Sequence, residues 1–543
     1  MPVTSPQTVT FSSPCASSGK AVLTSSVLTG AGGVATASYR DNGCGGSDVV
    51  TASVSGLATQ SSTLTVTVPT AGSIQFVSAT PTNITLKGTG GAGRQESAQV
   101  IFKVVDTGGN PLSTSQTVNF SLSTSVGGIT FANGSTTTTG TSDPSTGQAV
   151  VTVQAGTVST PVRVLASTTA AGGVTLSTQS DQLTVTTGIP DQTSFSLSAT
   201  KLNIEGLQHD GETTVLTARL ADHFSNPVPD GTAVNFIAEG GSVTGSCTTA
   251  SGACSATLTS QELRPTNGRV TVLAYAVGEE SFTDVDGDGL ASKVNRLTAT
   301  TELIDFNGAA TDMPEAFLDT NENRVRDAGE TFIDFNANGQ YDAGDGKYNG
   351  VLCNETAPGT SSAGTCSTRK SIHVFRNIPI VFSGSSPVLR FYEETSTGTL
   401  TPIDPATGVV FTACNPAVPF TREQKTILVV VTDVNGNPMP AGTTVSFSRN
   451  LSSSGGIVSS PLSFTQASTV ACLSGVAGCP ASSAVSPGAS ALTYRVVWLT
   501  DASQSGTPPA ATCVTPTRNP DTLNITVKTP RQLETSTSLR ITN

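Results

Sequence analysis

Residues 433–447 read DVNGNPMPAGTTVSF, and the same frame occurs at 222–236 (DHFSNPVPDGTAVNF) and at 106–120 (DTGGNPLSTSQTVNF). In all three, the Asp precedes the Pro by five positions and the Pro precedes the Phe by nine. An apolar, β-branched run leads into each copy (TILVVV, TTVLTARL, AQVIFKVV), and an alternating run closes it. Asp, Asn and Gly before a Pro are turn residues, because Asx side chains bond their own backbone and Pro pre-sets φ. The frame therefore reads as strand, turn, strand. Its recurrence at fixed spacing identifies a repeated β-domain.

A partial copy, PVTSPQTVTF at Pro2–Phe11, matches Pro111–Phe120. The first domain thus enters the repeat late and is expected to lack its first two strands, which would leave a core face and a sheet edge open. At the other end, RQLETSTSLRITN (531–543) resembles the openings SIQFVSATPTNITL and SFSLSATKLNI. It is read as the first strand of a further domain. Either the chain is cut from a longer array, or this strand completes the first domain of the next copy and builds a head-to-tail filament. The expected domains are 1–70, 71–188, 189–386 and 387–530, with 531–543 as a candidate donor strand.

The repeats resemble bacterial immunoglobulin-like domains of group 1, the type found in invasin- and intimin-like adhesins. Asp433, Asn435, Gly436, Asn437, Pro438, Gly442 and Val445–Phe447 carry the resemblance most fully. It implies an all-β chain of tandem immunoglobulin-like sandwiches forming a rod on a bacterial cell surface, facing a surface ligand or further copies of itself. It supplies no catalytic residues, since such domains serve as stalks, spacers and binding modules alike.

Composition agrees with short strands and small cores: 36% of residues are apolar and 12% charged, and Gly is abundant. The formal net charge is −12, and residues 279–345 alone hold 16 acidic and 4 basic side chains. Acidity is therefore local, and no basic face for nucleic acid is expected. No run approaches the roughly 18 apolar residues of a membrane helix. MPVTSPQTVTF lacks the charged start and apolar core of an export signal.

The ten cysteines contain no CxxC and meet only three histidines, which disfavours a zinc site and favours disulfides in an oxidising compartment. Proximity suggests Cys15 with Cys44, Cys247 with Cys254, Cys353 with Cys366 and Cys472 with Cys479, leaving Cys414 for Cys513.

The third domain is too long for a plain sandwich. Its surplus, about 283–370, is read as an insertion between two strands, the kind of segment that often carries function. Within it, DTNENRVRDAGE places Asp319, Asn321, Asn323, Val325, Asp327 and Glu330 at positions 1, 3, 5, 7, 9 and 12 of an EF-hand-type calcium loop. Alternating oxygens wrap a hard cation, position 7 offers a carbonyl, and Glu at 12 binds through both oxygens. Arg324 stands where Gly is usual. In the second loop, Asp334, Asn336, Asn338, Gln340, Asp342 and Asp345 take those positions, with Asp345 replacing Glu. A partial third loop has Asp284, Asp286 and Asp288, and would borrow a ligand such as Glu279, Glu280 or Asp305.

Calcium is the expected cofactor and its role structural. Enzymatic use of these acids is disfavoured, because glycoside hydrolysis needs a cleft with sugar-stacking aromatics and the sole Trp, Trp498, lies in another domain. His209, His223 and His373 are scattered, and no GxSxG elbow is present.

Overall fold

A computed structural model describes residues 5–542 apart from 68, 89–93, 113, 288, 293–300, 354–363, 396–397, 412–423, 450–454, 458–460, 501–503, 506–511 and 514–520. The chain divides into two compact units, 1–188 and 189–543. Among the described residues no helix is long and apolar enough to cross a membrane.

Three sandwiches share one topology. In residues 71–188, the sheet Thr130–Phe131, Gln148–Gln154, Ser97–Asp106, Ala71–Thr80 faces the sheet Thr137–Thr141, Thr117–Leu122, Val164–Thr169, Thr175–Gln179. The opening strand then changes sides: Asn83–Thr85 runs parallel to the last strand, Leu183–Thr186. The same parallel closure joins Asn203–Ile204 to Ile372–Phe382, and Val409–Val410 to Glu534–Thr542. Antiparallel sheets closed by a side-switching first strand make these immunoglobulin-like sandwiches.

The recurrent Asp explains the repeat's spacing. Oδ1 of Asp106 accepts the N–H groups of Gly108 and Asn110, that of Asp222 those of Phe224 and Asn226, and that of Asp433 those of Asn435 and Asn437. The residue three after each Asp has positive φ: Gly109 (82°), Ser225 (63°) and Gly436 (75°). Inward alternation then buries Phe120, Phe236 and Phe447, nine residues after each Pro. Trp498 is 1% exposed and lies in the core of the last sandwich with Phe391, Val445 and Leu539. Each such buried side chain contributes about 1.5–3 kcal/mol.

Two readings of the termini meet the structure differently. The described residues of the first domain form one four-stranded sheet, in the order Ser26–Leu28, Thr8–Ser12, Gly46–Ser53, Gln60–Val66, beside the short hairpin Ala21–Leu23 and Tyr39–Asp41. Val9 is buried, Phe11 half-buried and Leu64 39% exposed. At the other end the expectation is corrected. Glu534–Thr542 is the last strand of the final sandwich itself, paired antiparallel with Asp521–Lys528 and burying Leu539 and Ile541. Its alternation matched an opening strand because both pair along the same parallel seam. The candidate donor strand 531–543 is thus, in its described residues, built into its own domain rather than standing free.

Disulfides join Cys15–Cys44, Cys247–Cys254, Cys353–Cys366 and Cys472–Cys479, with Cα separations of 5.6, 5.9, 5.7 and 5.7 Å. The Cys414–Cys513 pairing lies outside the described residues.

Candidate metal centre

Arg269–Gly278 pairs antiparallel with Ile372–Phe382 from Arg269↔Val381 to Gly278↔Ile372. The acidic segment, 279–371, is the loop of this one hairpin. It sits on the outer face of the sheet, where Ala316 and Leu318 join Leu273, with Ile333 against Tyr275 and Phe375. Asn377 Nδ2 donates to the Phe317 carbonyl at 3.0 Å. This apolar footing is small, and most of the segment is held by carboxylates that collect backbone N–H groups.

The first loop closes as its spacing implies. Asp319 accepts the N–H of Asn323 through Oδ1 (3.1 Å) and of Arg324 through Oδ2 (2.8 Å). Arg324 adopts φ +67°, the left-handed conformation position 6 demands, and Glu322 adopts +59° at position 4. Asn323 Oδ1 accepts the N–H of Val325 (2.7 Å). The amides of Asn321 and Asn323 converge on Asp327 Oδ2 at 2.6 and 2.7 Å. Turning either amide over presents its oxygen to the same point, which a cation between them requires. Glu330, 7% exposed, forms the floor: Oε1 accepts the N–H of Thr320 (2.7 Å) and Oε2 that of Asp327 (2.9 Å), positions 2 and 9.

The second loop repeats this with one substitution. Asp334 accepts the N–H groups of Asn338 (3.2 Å) and Gly339 (2.6 Å). Asn338 Oδ1 takes that of Gln340 (2.7 Å), and Asn336 and Asn338 converge on Asp342 Oδ2. The floor, however, is Glu315, 2% exposed. It accepts the N–H of Phe335 at 2.9 Å and of Asp342 at 3.2 Å, again positions 2 and 9. The assignment of Asp345 to position 12 is therefore corrected: an Asp is one methylene short, and a buried Glu from upstream fills the place. The two loops are joined by Leu318 N–H to Thr331 O (2.8 Å) and Ile333 N–H to Ala316 O (2.7 Å).

The third loop also borrows its floor. Asp284 accepts the N–H groups of Gly287 (2.8 Å) and Gly289 (2.9 Å), while Glu302 Oε1 accepts that of Val285 (3.0 Å) at position 2. Asp284, Asp286 and Glu302 offer oxygens within 4.8 Å of one another. Asp288 lies outside the described residues. Among the described residues it is Glu302, rather than Glu279 or Asp305, that makes the bond to position 2. Glu279 accepts from Tyr348 and Val351, and Asp305 builds a turn of the repeat type over Asn307 and Ala309.

A fourth loop is discontinuous and absent from the sequence reading. Asp312 takes position 1, accepting the N–H of Asp345 (3.1 Å) and Gly346 (2.8 Å). Asp345 Oδ1 accepts the N–H of Lys347 (2.9 Å), the bond made by position 5 elsewhere. Glu280, 1% exposed, accepts the N–H groups of Met313 and Asn349, both at 2.8 Å, as the other floors do. A Cβ on Gly344 would lie 2.3 Å from the Asp312 carboxylate, so a side chain there would have to displace that carboxylate.

The electrostatics follow from crowding. Burial, with Asp312 nearby, pushes Glu280 up to about 7. Burial and the neighbouring Asp345 raise Asp312, and burial with Glu330 raises Asp319. Asp327 and Asp334 are lowered by the amide and backbone N–H groups they accept. Hard oxygen donors, buried acids at the base and solvent-facing rims suit calcium. Val325 and Gln340 stand at position 7, where a carbonyl is used.

No family model and no curated protein matches the chain. Among solved structures it is similar to invasin, described as a bacterial integrin-binding protein (14% identity, 86% of this chain and 60% of that one, TM-score 0.20). It is also similar to the D0-D1 domain of intimin (17%, 38% and 90%, TM-score 0.17) and to a bacterial ice-binding adhesin (11%, 87% and 98%, TM-score 0.18). At these identities and TM-scores the likenesses carry no functional weight, and the fold rests on the sheet topology above.

Proposed function

We propose that the chain is a non-enzymatic structural or adhesive segment of an extracellular, bacterial cell-surface protein, with a calcium-stabilised insertion and a cell-surface ligand as its partner. One observation carries the calcium assignment. Four loops place a buried Glu (Glu330, Glu315, Glu302, Glu280) beneath an Asp whose carboxylate collects backbone N–H groups from its own loop or a facing segment. In the first loop Asp319, Asn321, Asn323, Val325, Asp327 and Glu330 would hold the ion. Asp334, Asn336, Asn338, Gln340, Asp342 and Glu315 would serve the second. Asp284, Asp286 and Glu302 belong to the third, and Asp312, Asp345, Asn349 and Glu280 to the fourth. Bound calcium neutralises carboxylates that otherwise repel, so binding energy becomes folding energy of the insertion.

The disulfides and the β-sandwich array support an exported setting. His223 bonds Asp191 at 3.2 Å and stacks on Phe282, while His373 packs against Tyr275 and Phe335, so both serve packing in this reading. Calorimetric titration with calcium tests the assignment. Saturable binding with several ions per chain is expected, and no heat of binding at millimolar calcium would remove it.

A further inference from the structure

The first loop does more than close on itself, because its position 4 reaches out of the insertion. Glu322 forms a two-pronged ion pair with Arg269, through Nε at 2.6 Å and Nη2 at 2.9 Å. Arg269 is 2% exposed, at the start of the strand Arg269–Gly278. Its other N–H groups all cross to the last sandwich: Nη1 donates to Asn437 Oδ1 (3.2 Å) and the Val470 carbonyl (2.9 Å), and Nη2 to Ser483 Oγ (3.0 Å). From that side, Ser482 Oγ donates to the Glu322 carbonyl (3.2 Å) and Ser483 Oγ to Glu322 Oε2 (3.1 Å). One guanidinium thus spends all five donors tying a loop, a strand and the neighbouring domain together.

We infer that the first loop is a cation-set latch between the third and fourth domains, with Glu322 as its bolt. This rests on the calcium reading above. Glu322 stands between Asn321 and Asn323, and its left-handed backbone exists because the loop wraps Asp319. An ion there fixes the loop, and the loop fixes Glu322 over Arg269. When Asp319, Asp327 and Glu330 lose the ion, the loop opens and Glu322 withdraws. Arg269 then stays buried but loses the carboxylate it pairs with, which disfavours the closed junction. The segment released is the domain-4 loop around the Cys472–Cys479 bridge, which carries Val470 and Ser483.

Hydrogen exchange on the whole chain tests this at two amides bonded across the same junction and outside the loop itself: Thr469 N–H to Asn203 Oδ1 and Ala441 N–H to Asn203 O. Calcium is expected to slow exchange of peptides containing these amides about tenfold or more. In Glu322→Gln that slowing is lost, while calorimetry still shows calcium binding, because position 4 is not a ligand. Should Glu322→Gln fold poorly, the double variant Ser482→Ala, Ser483→Ala reports the same latch from the other side with a smaller loss. If calcium binds but leaves these amides unchanged, or slows them equally in Glu322→Gln and the serine variant, the latch is wrong and the calcium site stands. If calcium does not bind the unaltered chain, the site and the latch fall together.

Discussion

The sandwich of the third domain and the insertion it carries are held together by opposite means. The sandwich buries Phe195, Leu216, Phe236, Val272 and Phe382 in one apolar core. The insertion has a small apolar footing, and elsewhere it wraps backbone around buried carboxylates. Apolar burial is non-directional and needs no cofactor. A shell of acids needs a counter-charge, and under the calcium reading proposed above the order of this segment depends on an ion.

The largest expected effect sharpens that contrast. Phe382→Ala removes a fully buried ring packed near Gly206 and Gly241, and costs about 3–5 kcal/mol in denaturant unfolding, with or without calcium. A calcium-dependent loss would break the distinction. Chelation is the converse test. Excess chelator is expected to expose 279–371 to protease while the flanking strands Arg269–Gly278 and Ile372–Phe382 stay protected by their sandwich. Equal digestion of both would show that they form one cooperative unit.

Within the insertion, Glu315→Gln is expected to weaken the proposed calcium binding at the second loop by roughly tenfold or more, since it removes a buried charged floor. Asp345→Asn spares that loop and weakens the discontinuous one, a difference readable by calorimetry on the two variants. The opposite ranking would restore Asp345 to the second loop.

The smallest effect concerns pH. Burial, with Glu322 and Glu330 nearby, pushes Glu239 up to about 7. The folded chain therefore keeps a proton there that the unfolded chain releases. The resulting stabilisation is full below the ordinary carboxylate range and is lost as pH rises towards 7. Glu239→Gln is expected to gain ~1 kcal/mol over the unaltered chain at pH 8, after discounting for partial exposure, and nothing at pH 4. Thermal unfolding at the two pH values reads this directly.

Much of this was legible beforehand, for identifiable reasons. The repeat showed itself because one Asp carboxylate must reach two fixed N–H groups, which pins Asp, Gly or Ser, and Pro to set offsets. Loops one, two and three showed at their Asp ends because ligands at positions 1, 3 and 5 are neighbours in sequence. Their floors were legible only once, in Glu330. Glu315, Glu302 and Glu280 reach their loops from elsewhere in the chain, and Asp312 meets Gly346 across 34 residues. Nothing in their spacing marks these Glu, because each is set apart in sequence from the Asp-led turn it serves. The last strand was misread because an alternating stretch carries no label for which end of a sandwich it occupies.

The sequence alone therefore determined the sandwich repeat, four of the five expected disulfide pairs by proximity and the existence of oxygen-rich loops, because each follows from contacts between near neighbours. Tertiary structure alone decided which Glu lies under which loop, that residues 534–542 close their own domain, and that Glu322 bolts the insertion to the next sandwich through Arg269. Those depend on distant segments meeting in space, where burial and charge pairing select the partner and sequence distance does not.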